Sequence, residues 1–246
     1  MSHKPLIYDE WLARILQRDV YRLTIDDDLT RQAGDRANGL HDLLQGLQAR
    51  PVFLYTKTSV EALTTVRLLE TAGFNLVDTN VVFEKAIGPE GKAASGCTLR
   101  FAVAADEQPV AELARKNFIY SRFHRDNAIP RETANTVKAE WARNYFLGQR
   151  GQQMVVAVLD ETIVGFLQLL YAADKTLVID LVAVADSQRR RGIAGDMIAY
   201  AEAECGDFAR IRVGTQVANV PSIRLYEKMG FRLTDAQYVF HYHHLP

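Results

Sequence analysis

The chain has 246 residues, 48% hydrophobic and 24% charged, with 29 Lys and Arg against 30 Asp and Glu for a formal net charge of −1. That balance suits a globular chain of one large or two modest domains. It argues against a nucleic-acid or anionic-membrane partner, although a local basic patch can still hold phosphates. Cys97 and Cys205 are far apart and form no CxxC, which argues against a disulfide framework and for a reducing cytoplasm.

The first stretch, "MSHKPLIYDEWLARIL", has no continuous apolar core and no small-residue cleavage site, so no signal peptide is expected. No run approaches the roughly 20 apolar residues that span a bilayer. "AIGPEGKAASGC" (86–97) holds three glycines, a proline and small residues without apolar period, and reads as a linker. The expected division is an N-terminal domain over 1–87, a linker over 88–96 and a second domain over 97–246.

Downstream the expected order is β-α-α-β-β-β-α-β-α-β. "CTLRFAVA" reads as a strand and "DEQPVAELARKNF" as a helix with Asp106 at its cap. "TANTVKAEWARNYFLGQ" places Val137, Trp141 and Tyr145 at helical spacing. The strands "QMVVAVLD", "TIVGFLQLLYA" and "TLVIDLVAVA" follow, the first two joined by a short hairpin turn at "DETI". A helix to about Cys205, the strand "ARIRVGTQV", the helix "VPSIRLYEKMG" and the strand "DAQYVFHYHH" complete the order.

An internal repeat is visible. "TKTSVEALTTVRLLETAGFNLVDTNVVF" (56–83) lies on "VGTQVANVPSIRLYEKMGFRLTDAQYVF" (213–240) without a gap, with Thr58, Arg67, Gly73, Phe74, Asp78 and Phe83 among the identities. Two generic helix–Gly-Phe–strand units would explain part of this; the spacing favours a worn duplication. Asn219 is matched by Ala62 and Tyr226 by Leu69, and no arginine-glycine loop precedes the first copy. Any chemistry is therefore expected in the second copy.

"SQRRRGIAG" follows an apolar strand and opens a helix. A helix start presents unpaired N–H groups and partial positive charge, and small residues let an anion approach them. The stretch suits a pyrophosphate, and reads equally as an exposed basic helix start. It lacks the GK[ST] of a P-loop, and it comes too late, after antiparallel-looking strands, for a dinucleotide fingerprint.

Arg189-x-x-Gly192-x-Ala194 fits a (Q/R)-x-x-G-x-(G/A) signature. Asn219, Ser222, Tyr226, Gly230 and Phe231 fit Asn-x-x-(small)-x-x-x-Tyr-x-x-x-Gly-Phe. Over about Thr98 to His244 the chain resembles the GCN5-related N-acetyltransferases (GNAT). The resemblance implies an α/β (α+β) GNAT fold, a mixed, mostly antiparallel sheet flanked by helices, with a smaller degenerate GNAT-like N-terminal domain. It implies direct acyl transfer from acetyl-CoA, or another short acyl-CoA, to an amine, without a metal.

On that resemblance Val182, Ala183 and Val184 would pair with the pantetheine arm, with an N–H near Val184 polarising the thioester carbonyl. The backbone of Arg189, Arg190, Arg191, Gly192, Ile193, Ala194 and Gly195 would hold the pyrophosphate. Asn219 and Ser222 would meet the cofactor arm. Tyr226 would protonate the leaving thiolate, where a phenol is a neutral donor at pH 7; without the motif it reads as a core tyrosine. By strand alternation Asp180 shares a side with Val182 and Val184, and serves either as the base or in polar pairing. His124 is another base, and ordered water a third route. Strand alternation puts His241 and His243 on one face, but no carboxylate is expected beside them, so a plain strand end is preferred to a metal site.

"NFIYSRFHRDNAIP" mixes aromatics with Arg122, His124 and Arg125, which suits a nucleotide or equally a solvated loop with aromatic anchors. "AGFNLVDTNVVFEK", "SRF" and "RVGTQVANVPSIRLYEKMGF" together resemble the bacterial TDP-fucosamine acetyltransferase group. That implies a dTDP-linked amino-dideoxy sugar as acceptor, made for surface polysaccharide. Tyr120, Arg122, Phe123 and His124 are then substrate-side residues, with a homodimer as the family's habit. The other readings are the same chemistry on a polyamine, amino acid, antibiotic or protein N-terminus, or a non-catalytic acyl-CoA sensor.

Overall fold

The computed structural model describes residues 5–25, 36–88 and 95–245. The first half contributes β1 (Leu6–Tyr8), α1 (Glu10–Leu16), β2 (Asp19–Leu23), α2 (Arg36–Gln45), β3 (Val52–Ser59), α3 (Leu63–Thr71) and β4 (Asn75–Ala86). The second contributes β5 (Thr98–Phe101), α4 (Glu107–Asn117), α5 (Arg131–Phe146), β6 (Gln153–Leu159), β7 (Thr162–Ala172), β8 (Thr176–Val184), α6 (Ile193–Glu204), β9 (Arg210–Gln216), α7 (Val220–Lys228) and β10 (Arg232–His244). The expected order is met element by element.

Local chemistry accounts for several boundaries. Asp9 caps α1, its carboxylate accepting from the Leu12 amide at 3.0 Å. Asp160 and Glu161 both have positive φ, the mirror-image turn that matches strand twist in a two-residue hairpin. Asp106 does stand at the start of α4, but its carboxylate makes no bond into that helix. It pairs with Arg100 and accepts the Val103 amide at 2.8 Å, fastening β5 to the turn before the helix.

Among the described residues, all ten strands form one sheet in the order β1-β2-β3-β10-β4-β9-β8-β7-β6-β5. Only β2–β3 and β8–β9 are parallel. The sheet does not break where the linker divides the sequence. β10 lies between β3 and β4, and β4 lies between β10 and β9, so each half of the chain lends its last strand to the other. The linker itself falls largely outside the described residues.

The registers give this exchange a two-fold symmetry. Asn80 and Gln237 are equivalent in the internal repeat, and they pair with each other. Ser59 pairs with Gln237, and its counterpart Gln216 pairs with Asn80. Gly73 and Gly230 end their helices at φ 87° and 84°, a region open to glycine, and the following Phe74 and Phe231 are both buried. The duplication read from sequence is thus matched in three dimensions, pair by pair.

One sheet face is covered by α2, α3, α6 and α7. There Leu54, Leu69, Phe74 and Phe240 form one cluster, and Leu177, Met197, Ile211, Tyr226 and Phe231 another. The opposite face carries α1, α4 and α5 over Phe53, Phe123 and Val137 at one end and Val156, Phe166 and Leu181 at the other. Between those two clusters the second face is polar.

Because β10 closes the sheet of the first half and β4 that of the second, residues 1–88 and 95–246 made separately are each expected to lack a cooperative thermal transition, and mixing them should restore one. A sharp monomeric transition for 95–246 alone would show that β10 folds without β3 and β4.

Candidate active site

The site grows from the place where β8 and β9 part. Their pairing runs from Thr176–Arg210 to Ile179–Val213 and stops. Beyond it Leu181 to Val184 stay bonded to β7, while Gly214 to Gln216 stay bonded to β4. A parallel ladder would use the backbone groups on the facing edges, and here they line a gap instead.

Asp180 sits at the opening and does not obey the alternation expected of it. The β7–β8 register slips between Leu169–Ile179 and Gln168–Leu181, leaving Asp180 as the extra residue of a β-bulge. Before the bulge Leu177 and Ile179 face the α6–α7 core; after it Leu181 and Ala183 face α4 and α5. Asp180 therefore points toward α5, away from the side on which Val182 and Val184 pack. Arg150 clamps it at 2.6 and 2.7 Å, and Trp141 Nε1 (2.9 Å) and Gln168 Nε2 (3.2 Å) also donate to it. With these donors around both oxygens, the residue acts as a polar post between β8 and α5.

The arginine-glycine stretch lies at the end of β8. Gly192 is the cap of α6 with φ 84°, and Arg190 is also left-handed at 64°. The turn is held close to the sheet because Gly165 of β7 has no side chain: a Cβ there would lie 3.1 Å from Met197 and 3.3 Å from the Ala183 carbonyl. Ile193 anchors the helix start in the core. Among the described residues, no backbone acceptor is found for the N–H groups of Arg190 to Gly195. They form a nest of open donors at a helix mouth, which fits a pyrophosphate. The arginines divide the work. Arg189 reaches back to the carbonyls of Val184 and Asn117 and pairs with Asp186 at 2.8 Å. Arg191 bonds Gln188, and Arg190 is exposed.

Asn219 caps α7. Its amide donates to Thr215 Oγ1 at 3.0 Å and its carbonyl accepts from the Ser222 N–H at 3.4 Å. The equivalent Ala62 offers no such cap. Tyr226 is buried among Phe83 and Phe231. Burial raises its phenol above the ordinary value, and a hydrogen bond with Ser222 pulls only weakly the other way, so it is a neutral proton donor at pH 7.

On the second sheet face, four strands carry one polar row: Ser59, Gln237, Asn80 and Gln216. Beside it run Lys57, Val239 and Asp78. Lys57, Ser59 and Gly214 are exposed, so the floor is open and leads to the gap between β8 and β9. Asp78 was not singled out from the sequence for chemistry, although its identity with Asp235 was the signal. Its Oδ1 accepts the Thr79 amide at 2.7 Å and lies 3.7 Å from Arg125 Nε, while Oδ2 is buried without a partner. Burial pushes this carboxyl up to about 6, against the Thr79 hydrogen bond and the nearby charges of Arg125 and Lys57. A half-charged carboxylate with a free oxygen is suited to accept a proton near neutral pH.

The loop between α4 and α5 roofs this floor. The Arg122 guanidinium stacks between Tyr55 at 4.0 Å and Phe123 at 4.4 Å; burial lowers it to about 10, so it stays charged. Phe123 is core and Tyr120 half-buried. Both nitrogens of His124 are engaged, Nδ1 with Ser121 Oγ at 2.6 Å and Nε2 with Asn135 Oδ1 at 3.0 Å, and burial lowers its pKa. Lys138 lies between the rings of Phe118 and Trp141, lowered to about 8 by burial.

His241 and His243 do share a face, but a carboxylate does stand beside them: Asp126, brought in by the loop at 2.5 and 2.7 Å. Arg122 donates to the other nitrogen of His241 and Arg18 to that of His243, both at 3.1 Å. Burial raises Asp126, but the two imidazole hydrogen bonds and the Ala128 amide outweigh it and hold the carboxyl far below its usual range. With the outer nitrogens accepting from guanidinium groups, the inner ones, His241 Nδ1 and His243 Nε2, carry the N–H groups that donate to Asp126, and in this arrangement the cluster ties the roof to β10.

Three kinds of likeness bear on this geometry. A stretch of 138 residues is 35% identical to the spore coat polysaccharide biosynthesis protein SpsD of Bacillus subtilis, covering 55% of this chain and 47% of that protein. The chain thus spans about half the length of that curated relative. Among solved structures, a GCN5-related N-acetyltransferase from Sphaerobacter thermophilus superposes with a TM-score of 0.64 at 17% identity, over 98% of this chain and 78% of that one. A tandem GNAT protein from the clavulanic acid biosynthesis pathway superposes at 0.62 and 14% identity, over 92% and 76%. The family model described as Acetyltransferase (GNAT) family matches residues 107–231, from the start of α4 to the phenylalanine that ends the α7 turn. With more than half its length so matched, the chain belongs to the GNAT family of acetyltransferases.

Proposed function

We propose that this chain transfers an acyl group from acetyl-CoA, or another short acyl-CoA, to the amine of a nucleotide-linked amino-dideoxy sugar. The observation that carries the reading is the β8–β9 gap. It runs from a nest of open amides at the α6 mouth to a polar floor holding a carboxylate with a free oxygen. The amide nest suits the pyrophosphate, and the free edge of Val182 to Val184 suits an amide-bearing arm. The likeness to a protein named for polysaccharide biosynthesis supports a sugar acceptor, and Arg122 with its aromatic neighbours supports a nucleotide carrier.

In this reading Asp78 takes a proton from the acceptor ammonium, and the freed amine attacks the thioester carbonyl. The C–N bond forms as the C–S bond breaks, the Val184 region donates an N–H to the carbonyl oxygen, Tyr226 protonates the departing thiolate, and the second proton that the nitrogen sheds on becoming an amide passes through water to restore the phenol. Asp180 positions the strand rather than moving a proton. The first half of the chain, which lost the helix cap and the tyrosine, supplies the base.

Thiol release with a panel of dTDP-linked and UDP-linked amino sugars, spermidine, amino acids and peptides tests the acceptor; turnover on amines lacking a nucleotide would refute the nucleotide carrier. Tyr226→Phe should lower kcat by about a hundredfold with acetyl-CoA binding unchanged; unchanged turnover would remove the acid.

Asp78→Asn should lower kcat by a similar factor and abolish the fall in rate below about pH 6. It should also stabilise the fold. A carboxyl raised from 3.8 to about 6 favours the folded state only while protonated, so the wild type loses stability as pH rises through that window. The asparagine should therefore gain about 3 kcal/mol in thermal unfolding at pH 8 and less than about 1 kcal/mol at pH 4. A variant inactive and less stable at pH 8 would assign Asp78 a structural role.

A further inference from the structure

The polar floor does not end at Lys57. On the same sheet face, one residue pair along β3, Tyr55 opens into a groove of about 490 Å³ between α1, β1, β2 and β3. The groove brings together the rings of Trp11 and Tyr55 with the guanidinium groups of Arg14 and Arg22, while Tyr8 lines its rim and turns its ring onto Tyr21 at 5.3 Å. Both arginines are exposed and make no ion pair among the described residues. The Asp9 carboxylate beside them is already used, by the Leu12 amide and by Tyr55 Oη at 2.8 Å. Flat rings with unpaired guanidinium groups are the chemistry that stacks a base and neutralises phosphate.

The groove is also built onto the active site. Trp11 meets Trp141 edge-on at 5.8 Å, and Trp141 holds Asp180 at the gap. Tyr55 lies under Arg122 of the roof. From β3 to β9 the floor crosses three strand spacings, about 14 Å, with Lys57 and Arg122 over the first part and Asp78 over the second. An ordering of rings, then cations, then carboxylate follows the order of parts in a base, a diphosphate and an aminated sugar.

We propose that a nucleoside diphosphate binds along this face, its base in the groove of Trp11 and Tyr55, its phosphates against Arg22, Lys57 and Arg122, and its amino sugar over Asp78. The proposal rests on the nucleotide-linked acceptor reading above, and gives the first half of the chain the recognition of the carrier. A nucleoside diphosphate is also part of CoA, so the test must separate the two.

Binding of dTDP, UDP and inorganic pyrophosphate is measured by calorimetry with and without saturating acetyl-CoA. Wild-type protein should bind a nucleoside diphosphate, more tightly than pyrophosphate, and keep doing so when acetyl-CoA is present. Arg22→Glu and Trp11→Ala should each weaken it about tenfold, Trp11→Phe much less, while acetyl-CoA affinity stays constant. On a nucleotide amino sugar the same variants should raise KM and leave kcat. Arg22 is exposed, so its variant reads the groove even if Trp11→Ala unfolds. Unchanged dTDP binding in Arg22→Glu and Trp11→Phe, with wild-type turnover on the nucleotide sugar, would overturn the groove and leave the acceptor reading standing. Displacement of dTDP by acetyl-CoA would overturn it too. Absence of any nucleotide binding, with turnover on a simple amine, would overturn both.

Discussion

Everything in this protein hangs on one set of backbone hydrogen bonds, those that tie β10 into the first half of the chain between β3 and β4. A strand in the middle of a sheet must satisfy N–H and C=O groups on both edges, and neither half holds enough strands in the right order to do so alone. The exchange turns two worn copies into one continuous sheet. It also sets the register, and the register fixes which side chains reach the second face. A slip of one residue in β4 would turn Asp78 and Asn80 into the core and Val81 and Phe83 out of it.

The exchange explains a division of labour that the chain order hides. The second half keeps the helix mouth with its open amides, the Asn219 cap and Tyr226. The first half has lost the equivalents of Asn219 and Tyr226, yet its last strand lies against β9, beside the gap, and carries Asp78 there. Its α1 and β1 to β3 wall a groove next to the loop that roofs the site, and its Tyr55 is the surface on which Arg122 rests.

Much of this was legible in the sequence. Alternation and helical period gave the order of the second half, since its strands and helices each face a single apolar layer. The α6 mouth was legible because glycine at φ 84° and open amides leave a trace in residue type. The repeat was legible from Gly73-Phe74 against Gly230-Phe231, where φ and burial constrain both copies alike. What was not legible depends on pairing between distant residues. The bulge at Asp180 reverses an alternation that every neighbouring residue obeys, and it is visible only against β7. Asp126 lies far in sequence from His241 and His243, so their strut could not be anticipated from "HYHH". Asp78 reads in sequence as an ordinary strand residue, because only the pairing of β4 with β9 brings it to the gap. The connection between β2 and α2, where the first copy lacks an arginine-glycine loop, lies largely outside the described residues.

The position of β10 has a consequence for the birth of the molecule. β3 and β4 leave the ribosome long before β10, whose residues begin only at 232. Through that interval their edges stand open to water, and to each other in an order the finished sheet does not use. Pairings at such sequence separation close slowly, because the loop entropy is met before any contact offsets it. The nascent chain must therefore wait half-made, with two unpaired edges that invite association between neighbouring chains. The charged Lys57 and Asp78 also stand on those strands, where charge discourages such association until the last strand arrives.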